Sequence, residues 1–180
     1  MVKTPEEWFR YCPRCGVRGF RNPRPRLMAC AVCGWQFYLN PAAAAVGVIR
    51  NAVGEVLFTT RAHDPGKGML DLPGGFVDCN ESAEQALRRE LREELGFEAG
   101  PLKHLGCVTN RYPYKGILYH TLDFVFETRC ADDARFGTSD EVTDFIFADP
   151  ARVKRAALAF DSVRAIVATM LGGLAPSPKR

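Results

Sequence analysis

Residues 75–97 read GFVDCNESAEQALRRELREELGF. After Gly75 and five residues comes Glu81, and after seven more comes Arg89-Glu90; apolar Leu91, the pair Glu93-Glu94, Gly96 and apolar Phe97 complete the pattern. Asn80 suits an N-cap, Glu81 and Glu84 suit the positive end of a helix dipole, and Gly96 suits the residue after the last turn. The segment therefore predicts a helix over 81–95. At about 100° per residue with Ala83 at zero, Leu87, Leu91 and Leu95 fall at roughly 40°, 80° and 120°, and Ala86 at roughly 300°, as a core stripe. Glu90, Glu93 and Glu94 fall at roughly 340°, 280° and 20°, at the edge of that stripe, while Gln85, Arg88, Arg89 and Arg92 take the solvent side.

A run of glutamates that were merely a solvated face would lie opposite the leucines. Three carboxylates at a core edge repel one another and lose hydration unless cations compensate them. Mg²⁺ or Mn²⁺, hard cations that prefer oxygen ligands, answer that need. With this spacing the stretch resembles the Nudix box at every fixed position, and Leu72-Pro73-Gly74-Gly75 looks like the family's approach to it. The resemblance covers about residues 41–174. It implies an α/β fold, the α/β/α sandwich of Nudix proteins, and attack of a metal-activated water on a diphosphate joining a nucleoside to a group X. It implies that Glu90, Glu93 and Glu94 hold the metals with the Gly74 carbonyl nearby, that Arg89 orients Glu90, and that Glu81 supports Arg89. The water-activating base falls in this family either to a box glutamate or to a later carboxylate, for which Glu141 is the candidate.

Around the box the chain reads as strands and turns. Residues 42–50 and 55–60 predict a hairpin about a turn at 51–54. Residues 61–68 form a polar loop, in which His63 and Lys67 are candidates to touch phosphate. Strands are expected over 102–108, 117–127 and 143–147, with 110–116 as a turn region and 131–139 as a loop. Asp149-Pro150 opens a helical tail, amphipathic over 160–171 and frayed over 175–180. Sheet with helices on both sides follows.

The stretch 1–39 differs in character. Cys12-Pro-Arg-Cys15-Gly and Cys30-Ala-Val-Cys33-Gly are two Cys-x-x-Cys knuckles in close succession, a spacing that favours one four-thiolate Zn²⁺ site over thioredoxin-like redox chemistry. A module this small buries little apolar surface, so metal would supply its stability. The expected division is a zinc ribbon over 1–39 and a second domain over 40–180. Lys3, Arg10, Arg14, Arg18, Arg21, Arg24 and Arg26 against Glu6 and Glu7 give the ribbon +5, leaving −2 for the rest of a chain whose net charge is +3. Such a head, interleaved with Trp8, Phe9, Phe20, Trp35, Phe37 and Tyr38, attracts phosphates and opens the alternative of an RNA-binding surface. No run of 18 apolar residues and no apolar signal core occurs in the sequence, so it is read as cytoplasmic, with no membrane partner. A homodimer is left open.

A zinc ribbon before a Nudix domain is similar in layout to the NADH pyrophosphatases. Those proteins carry Ser-Gln-Pro-Trp-Pro-Phe-Pro downstream of the box, where this chain has Asn110-Arg-Tyr-Pro-Tyr-Lys115. The aromatic-Pro-aromatic core is kept, and Tyr112 and Tyr114 become candidates to stack a base. The expected substrates are nucleotide-type small molecules, ADP-ribose or NAD(H)-like compounds. NAD-capped RNA and a Nudix-fold nucleotide- or nucleic-acid-binding protein are the alternatives.

Overall fold

A computed structural model describes residues 2–172; the fraying expected over 175–180 lies outside them. The chain forms two compact units, one taking the N-terminal stretch through Pro41 together with Arg111–His120, the other taking Ala42–Asn110 and the chain from Thr121 onward.

The first unit opens with a single turn, α1 (Pro5–Trp8), and builds a three-stranded sheet from β1 (Arg21–Arg24), β2 (Leu27–Ala29) and β3 (Gln36–Tyr38), in the order β1-β2-β3. Its core is small: Cys12, Phe20, Met28 and Cys30, with Val17, Trp35 and Leu39 against them. The Trp35 ring stacks on Phe37 at 5.8 Å and tilts onto Phe20 at 5.5 Å. Lys3 forms a parallel bridge to Ile117: its N–H donates to the Gly116 carbonyl at 3.0 Å and its carbonyl accepts from Leu118 at 2.8 Å.

The second unit contains β4 (Ala42–Arg50), β5 (Val56–Arg61), β6 (Leu70–Asp71), β7 (Gly74–Phe76), α2 (Ala83–Leu95), β8 (Lys103–Tyr114), β9 (Ile117–Arg129), β10 (Val142–Ala148) and α3 (Asp161–Thr169), with a 3₁₀ turn at Arg155–Ala157; β8 and β9 run on into the first unit. The sheet order is β10-β5-β4-β9-β8, with β6 on β5 and β7 on β4. β4 and β9 are parallel from Ala42 opposite Thr121 to Arg50 opposite Arg129, whereas β5–β10 and β4–β7 are antiparallel.

Both faces of this sheet are covered, which is why its central strands read as continuous apolar runs. On one side Ile49, Leu57 and Phe126 pack with Leu87, Leu91 and Leu95 of α2. On the other, Val48, Phe58 and Val125 pack with Val163, Ile166 and Val167 of α3. The leucine stripe is thus the one the helical period places, and the architecture is the expected α/β/α sandwich.

Three local expectations change. Ser82, not Asn80, caps α2: its Oγ accepts from the Gln85 N–H at 3.2 Å while the Gln85 side chain accepts from the Ser82 N–H at 2.8 Å, a reciprocal pair that satisfies two otherwise orphaned donors. Asn80 instead takes a left-handed φ of 70° in the turn before it. Second, Arg111 to Tyr114 continue β8 as strand, and the turn shrinks to Lys115 and Gly116, both at positive φ. Third, the tail after Asp149 is irregular through the 3₁₀ turn, and its helix is shorter than the 160–171 expected.

Candidate active site and cysteine centre

The α2 carboxylates meet β7 at the end of the sheet where Ala45 pairs with Gly75. Gly74 has φ 138°, and a Cβ there would lie 2.1 Å from the Ala45 carbonyl oxygen. At Gly75 a Cβ would lie 2.5 Å from Glu90 Oε1. Gly74 therefore lets β7 close onto the backbone of β4, and Gly75 lets the backbone lie directly against the Glu90 carboxylate, fits that no side chain could share.

Arg89 is the hub. It donates from Nη2 to Glu81 Oε1 at 2.8 Å and to the Phe76 carbonyl at 3.1 Å, and from Nε to Glu81 Oε2 at 3.3 Å. Nη1 donates to Glu90 Oε1 at 2.8 Å and to Glu93 Oε2 at 3.0 Å. The helical wheel sent Arg89 to solvent; the carboxylates on both sides draw it back, leaving the side chain 27 % exposed. This network holds Arg89 strongly protonated, first through Glu81. Glu81 in turn accepts from the Asp78 N–H at 2.7 Å, and its carboxyl sits below the usual range because of Arg89.

Glu90 and Glu94 are shifted the other way. Burial raises the Glu90 carboxyl, with Arg89 opposing and the charges of Glu93 and Glu141 adding. Glu94, buried, accepts from the Gly74 N–H at 3.0 Å; burial pushes it up to about 8, the Gly74 bond opposes, and Glu90, Asp71 and Glu141 add to the rise. These are desolvated, mutually repelling oxygen donors without a full complement of positive charge, the situation a hard divalent cation relieves. Glu93 stays exposed. The side-chain oxygens of Glu90, Glu93 and Glu94 are not gathered onto one point: Arg89 holds the first two and the backbone of Gly74 the third.

Glu141 is brought close enough for its charge to act on both Glu90 and Glu94, held by its own carbonyl accepting from the Ala62 N–H at 2.9 Å. His63 and Lys67 are exposed in the loop after β5. Tyr112 and Tyr114 project on one side of β8, as their spacing requires, and stack on each other with ring centres 6.0 Å apart. Sequence reading passed over two acids, the part-buried Asp71 and the buried Asp123. Asp71 pairs with Arg61 at 2.8 Å and accepts from the Leu72 N–H. Asp123 shares a strand face with Thr121 and Val125; the signal was an acid in the middle of an apolar strand.

Among the described residues, Cys12, Cys15, Cys30 and Cys33 form a group whose sulfurs all lie within 4.8 Å of one another. The pairs Cys12–Cys33 and Cys15–Cys30 are 3.7 Å and 3.6 Å apart. Four thiolates on a tetrahedral metal at about 2.3 Å stand about 3.8 Å from one another, so the spacing fits such a centre. The Cys33 N–H on Cys30 Sγ leads the lowering of that thiol to about 6.

The site can be set beside known proteins. An ADP-ribose pyrophosphatase of Methanocaldococcus jannaschii is 34% identical over 108 residues, 56% of this chain and 62% of that protein. An NAD-capped RNA hydrolase NudC of Pseudomonas aeruginosa is 29% identical over 116 residues, 64% of this chain and 41% of that protein. The matched stretch thus spans less than two thirds of either relative's length. A NUDIX hydrolase structure from Nitrosomonas europaea superposes with a TM-score of 0.63 at 20% identity, covering 91% of each chain, a likeness of fold. The family model for the NUDIX domain matches residues 40–168. With the box, the sandwich and that match in agreement, the chain belongs to the NUDIX domain family.

Proposed function

We propose that this protein hydrolyses the diphosphate bond of nucleoside diphosphates linked to a group X, with ADP-ribose and NAD(H)-type compounds as the substrate class. The observation that carries the reading is the Arg89-centred carboxylate network of α2 lying against Gly74 and Gly75. The two relatives named above, an ADP-ribose pyrophosphatase and an NAD-capped RNA hydrolase, support the substrate class.

Each side chain has a part. Glu90, Glu93 and Glu94, with the Gly74 carbonyl, are the residues that would hold Mg²⁺ or Mn²⁺, whose chemistry there is to neutralise diphosphate charge and acidify a water. Arg89 fixes the rotamer of Glu90, and Glu81 fixes Arg89. The proton of the attacking water passes to Glu141, near enough to act electrostatically on Glu90 and Glu94, or to Glu90 itself if Glu141 proves dispensable. Tyr112 and Tyr114 offer aromatic surface to a base. The cysteine centre takes Zn²⁺ and is structural. The domain division is 1–39 and 40–180, supported by a family match that begins at residue 40.

RNA is a further partner through the ribbon: Arg10, Arg14, Arg18, Arg21, Arg24 and Arg26 are all exposed. No helix among the described residues is long and apolar enough to cross a membrane; a cytoplasmic location and a homodimer belong to the same proposal. A panel of nucleoside-diphosphate compounds, NAD-capped RNA included, incubated with Mg²⁺ and read by released monophosphate tests the function. Cleavage of ADP-ribose or NADH is the expected result, and a silent panel with both Mg²⁺ and Mn²⁺ would overturn it.

A further inference from the structure

At the end of the sheet away from the α2 carboxylates lies a cavity of about 320 Å³. β4 passes Gly75 at Ala45 and reaches the cavity at Asn51, about 20 Å further along the strand. Phe136, Phe145 and Phe147 line it, the Phe136 ring centre standing 5.6 Å and 5.8 Å from the other two. Val53, in the β4–β5 turn, lines it too and is 80 % exposed. Among the described lining residues Asp132 alone is charged; it is exposed and in no ion pair with another described residue.

The surroundings are acidic beyond that one group. From 131 to 149 the chain carries Asp132, Asp133, Asp140, Glu141, Asp144 and Asp149 against Arg135, a net −5. β10, which supplies Phe145 and Phe147, is the outer strand on this side of the sheet. Aromatic rings beside a carboxylate that has no cation suit a guanidinium, which stacks on a ring and can hold a carboxylate through two N–H groups.

The chain itself supplies such groups. Arg10, Arg14, Arg18, Arg21, Arg24 and Arg26 are exposed, and none is in an ion pair among the described residues. With Arg111 and Lys115 of the hairpin tip, the first unit carries +7; the chain total is +3, so the second carries −4. Four thiolates on one Zn²⁺ would withdraw two charges from the first unit without changing its sign. Two copies meeting cavity to cavity would set −5 against −5, whereas ribbon to cavity sets opposite charges together. Arg21 and Arg24 lie on β1, an outer strand of the ribbon that is exposed along its whole length, which suits them to enter a concave acceptor.

We propose that the cavity receives an arginine of β1 from a second copy of this chain, its guanidinium on the phenylalanine rings and against Asp132, and that copies associate head to tail through this contact. The pairing is heterologous: each copy gives a ribbon to one neighbour and a cavity to another. RNA would compete for the same arginines. The contact is independent of the hydrolytic reading, because the cavity lies away from the carboxylates.

Sedimentation velocity of the full chain over a range of concentrations tests this. At about 0.05 M salt the wild-type mass should rise with concentration above the 20.0 kDa of one chain, and at about 0.3 M salt the association should weaken at least about 10-fold, since screening acts on exposed charge. Asp132→Arg should stay monomeric, as should the double variant Arg21→Gln with Arg24→Gln; Val53→Lys should act as Asp132→Arg does. An equimolar mixture of Asp132→Arg and the double variant should regain a complex of twice the single-chain mass, because the first brings an intact ribbon and the second an intact cavity. That regain also shows that both variants are folded. A wild type that is monomeric at every concentration, a variant that associates as wild type does, or a mixture that remains monomeric would overturn the proposal.

Discussion

Replacing Glu94 by Gln separates what this carboxylate does for the fold from what it does for chemistry. The Glu94 carboxyl moves from an ordinary 4.5 to about 8, burial being the first cause. At about 1.4 kcal/mol per pH decade, that interval amounts to at most about 5 kcal/mol. The sign follows from proton counting. Between the two values the folded protein holds a proton that the unfolded chain has released, so stability falls as pH rises and the full loss is reached above about pH 8. Gln is neutral at every pH and keeps an oxygen for the Gly74 N–H. Without divalent ions, the stability difference should therefore shift toward the variant by about 2–3 kcal/mol between about pH 6 and pH 8. Urea titrations read by far-UV circular dichroism report this, because Trp8 and Trp35 both lie in the ribbon and their fluorescence would not report on the second unit. Added Mn²⁺ should stabilise wild type and not the variant, while kcat falls by at least about 10²-fold. A wild type that keeps its full advantage over Glu94→Gln up to about pH 9 in metal-free buffer would refute the reasoning.

Glu90→Gln should also lose at least about 10²-fold in kcat, and near-normal turnover of the folded variant would remove Glu90 from the chemistry. Glu141→Gln should alter the pH–rate profile and lower kcat; an unchanged profile returns the proton to Glu90. Cys12→Ser should abolish the one zinc per chain found by metal analysis while the second unit still unfolds cooperatively; loss of that cooperativity would show one folding unit. Tyr112→Ala should raise KM for a purine substrate about 5- to 150-fold, from stacking worth about 1–3 kcal/mol, and an unchanged KM across ADP-ribose and NADH would exclude it from base recognition.

The sandwich and the core face of α2 were legible because period and burial coincide: Leu87, Leu91 and Leu95 recur at every fourth position and all reach zero exposure. Likewise the cysteine pairs announce their own meeting. Arg89 was not legible from the wheel, because a long side chain answers to neighbouring charge more than to its Cα angle, and its place came only through the family resemblance. Asn80 misled as a cap because Ser82, two positions later, completes a reciprocal pair with Gln85, and local scoring of single residues misses such pairs. The surroundings of Asp71 and Asp123 were not legible for a different reason. Their roles depend on which strands lie side by side, and β4 joins β9 although β5, β6, β7, α2 and β8 all intervene in the chain.

The bridge from Lys3 to Gly116 and Leu118 also has a bearing on synthesis. The second cysteine knuckle is complete at Cys33, so that centre can form early, while most of the chain is still unmade. Lys3 cannot find its partners until the β8–β9 turn at Lys115 and Gly116 has been translated, after every element from β4 to β8. The segment around Lys3 must therefore stay available through the making of β4, α2 and β8, while the pairing of β9 with β4 and of β10 with β5 waits for residues made later still. A fusion or tag placed directly before Lys3 would interfere at that step, slowing the annealing of the hairpin tip while leaving the thiolate centre and α2 to form on schedule.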